Sequence, residues 1–278
     1  MKIKTLWQAA ILFSLFLMTL VMLCKHIFLD SSAFPVIGRN QQPESKAYRL
    51  VSTVSLGHTE VRNYQRMGFT RAALRFSPVG DSLAVGTESG EVLLVNTDGK
   101  VIWRRLIGLG KISALEYAGD GRTLYVGETS AEGNLFAIDA TTGKELWRFS
   151  CAPDVGVKLK EKNYPGMIRI VYGQSGELYV LAQRYERTED GSFYYGRLYS
   201  LLPTGQVRWK YPANHNTDAW VSWFSVDGSG QRLVFGTANF EMDRTYQYHK
   251  NVYAISAQQG QDVWSVSVDP TPPFKRTV

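Results

Sequence analysis

Cysteine is nearly missing from this chain of 278 residues, which holds only Cys24 and Cys151. Cys24 closes a long apolar run, so Cys151 stands alone in the remainder, and one thiol excludes an internal disulfide. The fold must therefore be held by packing. Histidine is equally scarce: His26, His58, His215 and His249 show no metal-ligand spacing, and no metal site is assigned. Basic runs are absent too. Lys2, Lys4 and Lys25 flank the apolar run, and without them 28 basic residues face 25 acidic ones, a surplus of three that argues against nucleic acid as a partner.

What the chain does have begins with that run. Leu6 to Cys24 is apolar except for Gln8, Ser14 and Thr19. Nineteen helical residues rise about 28 Å, close to the hydrocarbon core of a bilayer. The reading adopted is an uncleaved signal anchor over residues 1–29; the alternative is a cleaved secretory signal ending near Ser31-Ser32-Ala33. The charges at Lys2 and Lys4 predict a cytoplasmic N-terminus, which places the rest at the cell membrane on the extracytoplasmic side, periplasmic or extracellular. Leu23, where a lipobox wants a small residue, argues against lipidation of Cys24. Residues 30–47, rich in Ser, Pro and Gln, read as a linker.

From residue 48 onward the sequence repeats itself. Gly99 to Trp103, Gly143 to Trp147, Gly205 to Trp209 and Gly260 to Trp264 share one spacing, and the tryptophans recur every 44 to 62 residues. Each Gly ends a turn where a positive φ is cheap only without a Cβ. Three apolar strands precede each turn, as in Ile112 to Tyr117, Leu124 to Gly127 and Leu135 to Ile138, and the Trp strand is the fourth. Four strands per unit at this period predict the blades of a propeller, over residues 70–106, 111–150, 166–211 and 219–268. A lone strand at 48–57 precedes them. The fold class expected is all-β: a propeller-like array of four-stranded antiparallel blades, four in number, which either belong to a truncated, incomplete ring or form a small ring or an open arc, preceded by one transmembrane helix.

Ala137-Ile138-Asp139-Ala140-Thr141-Thr142-Gly143-Lys144-Glu145-Leu146-Trp147 resembles the repeat of the pyrroloquinoline-quinone (PQQ)-type β-propellers, roughly Ala-x-Asp-x-x-Thr-Gly-x-x-x-Trp. The copy from Ala254 to Trp264 keeps Ala, Gly and Trp but has Ser256 and Gln259 for Asp and Thr; the first and third copies keep mainly the Gly-to-Trp spacing. The resemblance implies that Trp103, Trp147, Trp209 and Trp264, with Gly99, Gly143, Gly205 and Gly260, are structural and dock blade on blade. It implies two uses as well: a non-enzymatic scaffold, as in the outer-membrane assembly lipoprotein with the same repeat, or a PQQ-dependent dehydrogenase, of which this would be a fragment. A third reading is a sensor that takes a small ligand in the central funnel.

No catalytic or cofactor residue is assigned. The dehydrogenase reading lacks a pair of neighbouring cysteines, and Asp139 sits in the repeat turn as a turn former. Gly173-Gln174-Ser175-Gly176 lacks the strand-to-helix context of a nucleophile turn, and Gly108-Leu109-Gly110 lacks the third glycine of a dinucleotide loop. Insertions point elsewhere. The connection between the second and third strands is short in units one and two but grows to residues 183–197 and 237–251 in units three and four. Arg184, Tyr185, Arg187, Phe193, Tyr194 and Tyr195 on the first, and Phe240, Arg244, Tyr246, Tyr248 and His249 on the second, are the expected partner-binding residues, since Tyr and Arg on long loops favour recognition. The expected function is a non-catalytic protein-binding scaffold that needs no cofactor.

Overall fold

The computed structural model describes Thr53 and residues 73–160, 163–238 and 246–267. The expected anchor, the linker, Phe240, Arg244 and, apart from Thr53, the lone strand at 48–57 lie outside these residues. Among the described residues no helix is long and apolar enough to cross a membrane.

Among the described residues sixteen strands follow in chain order, in four groups of four. The first blade contains β1 (Ala73–Phe76), β2 (Ser82–Gly86), β3 (Glu91–Asn96) and β4 (Val101–Leu106). The second contains β5 (Lys111–Tyr117), β6 (Thr123–Thr129), β7 (Asn134–Asp139) and β8 (Glu145–Ser150). A short helix, α1 (Ala152–Val155), leads to the third: β9 (Gly166–Tyr172), β10 (Leu178–Thr188), β11 (Gly191–Leu201) and β12 (Val207–Tyr211). The fourth holds β13 (Trp220–Val226), β14 (Arg232–Ala238), β15 (Val252–Ser256) and β16 (Asp262–Val266). Within each blade, consecutive strands pair antiparallel, and a bridge between Thr129 and Gly166 joins the second blade to the third. The first strands β1, β5 and β9 lie beside one another, so they form the inner edge of the array.

Strands with two buried faces explain why the apolar runs are continuous rather than alternating. On β6, Leu124 and Val126 pack toward the first blade while Tyr125 packs toward the third. On β7, Phe136 and Ile138 take the first direction and Leu135 and Ala137 the second. On β10, Leu178 and Val180 face the second blade, and Tyr179 and Leu181 face the fourth. Each junction is thus a sheet-on-sheet core.

The repeated Gly and Trp meet across these junctions. Trp103 of the first blade donates its indole N–H to the Ala140 carbonyl at 2.9 Å, and Gly143, in the same turn of the second blade, lies against its ring. Trp147 donates to Pro203 at 2.7 Å beside Gly205, and Trp209 to Ala257 at 3.0 Å beside Gly260. These glycines have φ of 68°, 86° and 65°, so two constraints converge on each: a left-handed backbone and an aromatic ring where a Cβ would stand. The Asp139 carboxylate holds its turn by accepting from the backbone N–H and hydroxyl of Thr142 at 2.7 and 2.8 Å, and these bonds keep its pKa below the usual range. In the last copy the hydroxyl of Ser256 accepts from the Gln259 N–H at 3.2 Å and so takes over the role of the missing Asp.

Trp264 departs from the pattern expected of it. Its strand is exposed along its whole length and the indole is 44% exposed, because among the described residues no later turn supplies a carbonyl and a glycine. The second correction concerns residues 183–197. They are not a loop: β10 and β11 run eleven residues each and stay paired out to Thr188 opposite Gly191. Tyr185 on β10 and the consecutive Phe193, Tyr194 and Tyr195 on β11 carry the sheet beyond the blade.

Candidate interaction face

The connections between second and third strands and those between blades come together on one face. The Gly90 carbonyl, in the β2–β3 turn, accepts from the backbone N–H groups of Ile107 and Gly108 in the link to the second blade. Ser130, in the β6–β7 turn, donates its N–H to Pro165 at 3.2 Å, and Gly196 on β11 bridges to Thr217 in the link to the fourth blade. Asp218 accepts from the N–H groups of Gln247 and Tyr248 at 2.6 and 3.1 Å, which ties that link to the long β14–β15 connection.

On this face the β10–β11 hairpin is pinned from both sides by charge. Asp154 on α1 is the hub. Its carboxylate pairs with Arg197 at 3.1 Å and Lys210 at 2.8 Å and accepts from the Tyr199 hydroxyl at 3.1 Å, while its backbone carbonyl accepts from Asn216 at 2.9 Å. Arg197 also donates to the His215 carbonyl. Higher on the hairpin, Arg184 donates to the Val155 carbonyl at 3.3 Å, pairs with Glu186 at 2.9 Å and lies 4.0 Å from the centroid of Tyr195. Glu186 also pairs with Lys158, and this bond, with help from Arg184, lowers its pKa despite burial. Arg184, Glu186 and Arg197 are buried, so these are pairs in a low-dielectric setting where loss of one partner strands the other.

The expected binding residues therefore divide. Arg187 and His249 are exposed, and Tyr185, Phe193 and Tyr195 are partly covered. Arg184, Tyr194, Tyr246 and Tyr248 are buried, which corrects their reading as contact residues. Tyr194 stacks edge-on with Trp220 at 6.0 Å between centroids, and Tyr248 packs on Tyr211 and Tyr253 with its hydroxyl 3.3 Å from His215 Nε2. Their physical role is to weld the hairpin and the β14–β15 connection to the blades. What they leave outside is the hairpin tip, Arg187 to Asp190, together with exposed Leu159, Asn214, His215 and His249.

Sequence reasoning missed Asp154, Glu186, Arg197 and Lys210. A signal for α1 was available: Pro153 in a first helical turn followed by an acidic residue is a helix start. No local signal pairs Asp154 with residues some 43 and 56 positions later. It also missed Glu128, fully buried on β6, which accepts from the N–H groups of Leu109 and Gly110 and from Ser130 and Asn134, and so closes the link between the first two blades. Among the described residues no group of three or more His, Cys, Asp or Glu is placed to hold a metal ion.

Comparison with known proteins adds the decisive observation. The family model described as outer membrane protein assembly factor BamB matches residues 88–277, from the β2–β3 turn past the end of β16. The chain belongs to this PQQ-type repeat family. Within the BamB-like frame, the turn glycines Gly143, Gly205 and Gly260 and the rings of Trp103, Trp147 and Trp209 are the parts that meet at the junctions described above. Among curated proteins, abnormal embryogenesis protein 30 of Caenorhabditis elegans is 28% identical over 119 residues, 38% of this chain and 11% of that protein. The chain spans about a tenth of the length of this relative.

Proposed function

We propose that this chain is a membrane-anchored scaffold that presents its BamB-like blades outside the cytoplasm and grips a protein partner with the loop face of blades three and four. The observation that carries the reading is the pinned hairpin. Its shaft is fixed by three buried ionic side chains, so the exposed tip from Arg187 to Asp190 is held in place before any partner arrives. Preorganised contact surface loses less entropy on binding than a free loop does. The apolar run Leu6 to Cys24, with Lys2 and Lys4 before it, supports the anchor and its orientation.

The test uses the full chain. Replacing Arg187 to Ser192 by Asn-Gly joins Glu186 to Phe193, which already pair, through a two-residue turn. A photo-crosslinker at position 159, beside the tip but outside the replaced segment, should join one protein partner in cells carrying the natural hairpin and lose it in the shortened variant. The melting temperature should be unchanged. Equal crosslinking by both chains would refute the reading, and a stoichiometric chromophore after adding the quinone and calcium would replace it with the dehydrogenase one.

A further inference from the structure

At the inner edge of the array, β1, β5 and β9 line a cavity of about 340 Å³. Three charged side chains belong to it: Arg75, Glu116 and Arg169. Arg75 and Glu116 satisfy each other, with Nε and Nη2 of the arginine 2.8 and 2.7 Å from one carboxylate oxygen, which also accepts from the Tyr117 N–H at 3.0 Å. Arg169 is left over. Its guanidinium carbon sits 3.4 Å from the ring centroid of Trp223 and 5.5 Å from that of Phe224, on the first strand of the fourth blade, and its Nε is buried without a hydrogen-bond partner.

The lining thus holds two guanidinium groups and one carboxylate, and that carboxylate is bonded to Arg75. Stacking on Trp223 orients the Arg169 plane but supplies no acceptor for the buried Nε, and burial pulls its pKa down. The same wall carries Leu74 and Ile168, 60% and 38% exposed, which are apolar surfaces next to the charges. An inorganic anion would leave those surfaces wet. A carboxylate on a short aliphatic stem would match both: two coplanar oxygens for a guanidinium fork and methylenes for the leucine and isoleucine.

We propose that this cavity binds a carboxylate, with Arg169 as the principal cation, Arg75 as the second and Leu74 and Ile168 receiving the stem. The inference is independent of the scaffold reading, which concerns the outer loops of blades three and four. The carboxylate could come from a free dicarboxylate or from an acidic side chain of a protein, and the experiment separates the two.

Calorimetric titration of the full chain uses succinate and the blocked peptide acetyl-Gly-Glu-Gly-amide as probes, with succinamide and the Gln peptide as neutral controls. At least one carboxylate should bind about tenfold or more tighter than its amide, the scale of a charge-assisted hydrogen bond. Arg169→Gln should remove that preference with little change in melting temperature. Should that variant fail to fold, Arg75→Gln serves in its place, because that side chain is 51% exposed, and it should weaken the same probe severalfold. Binding of succinate alone assigns the site to a free dicarboxylate; binding of the Glu peptide assigns it to an acidic side chain. No preference for carboxylate over amide, or equal affinity in the natural chain and the folded variant, overturns the proposal.

Discussion

The indole of Trp147 lies so close to Gly205 that a methyl group on that glycine would come within 2.8 Å of the ring, and the same indole donates to Pro203 two residues earlier. One side chain therefore fits two features of a single turn in the next blade. Trp147 is partly buried, and Trp147→Ala should cost about 3 kcal/mol, the low end for loss of a large ring. Gly205→Ala should cost about 2 kcal/mol or more, from the positive φ and the crowding together. Urea denaturation of both variants and the double variant should show less than additive loss, since removing the ring makes room for the methyl. Full additivity would separate the two residues.

Trp209 and Trp264 offer a contrast within one chain. Trp209 is buried and bonded to Ala257, whereas Trp264 is 44% exposed. Truncation to alanine should cost about 3 kcal/mol or more at Trp209 and under about 1 kcal/mol at Trp264. Comparable losses at both sites would mean that Trp264 is docked as the others are.

Asp154 should matter more than its place on a four-residue helix implies. Asp154→Asn leaves Arg197 buried without its counter-charge, and the expected loss is about 3 kcal/mol. Because the hairpin hangs from this hub, hydrogen exchange of β10 and β11 should quicken beyond Gln183 and Gly196 before the inner parts of those strands change. Uniform acceleration across the blade would count against a local pin.

Glu186 gives the network a pH signature. Its folded pKa is held below the ordinary value of 4.5, chiefly by Lys158 and then by Arg184, against the opposing effect of burial. A carboxyl shifted this way stabilises the fold above its unfolded pKa and loses that contribution as pH falls through the folded one. The stability gap between the natural chain and Glu186→Gln should be widest near neutrality and close as pH is lowered below 4.5. Chemical denaturation at a series of pH values measures the gap; a gap that stays constant would place the ion pair outside the folding equilibrium.

The blades were legible because their signal is local and repeated. A glycine four residues before a tryptophan, set among short apolar runs, marks each turn and strand, and the physical cause lies in one contact that recurs at Trp103, Trp147 and Trp209. The interaction face was legible only as length: the insertions could be counted, but not which of their side chains would be spent on packing. Tyr194 and Tyr248 read as recognition residues for the same reason they became core, since a large ring with a polar edge suits either place. Arg184 shows the other gap. Its partners Glu186, Tyr195 and Val155 come together only once β10 folds against β11 and α1, a relationship that spacing does not express.

The way each indole reaches forward into its neighbour has a bearing on how such a chain can grow. The second and third units each carry a plug, Trp147 or Trp209, and a socket, Gly143 or Gly205, so a tandem duplication of such a unit inserts a segment that fits both the copy before it and the copy after it without altering either. Length in this architecture can change by whole units at little cost, while a deletion that removes half a unit breaks two fits at once.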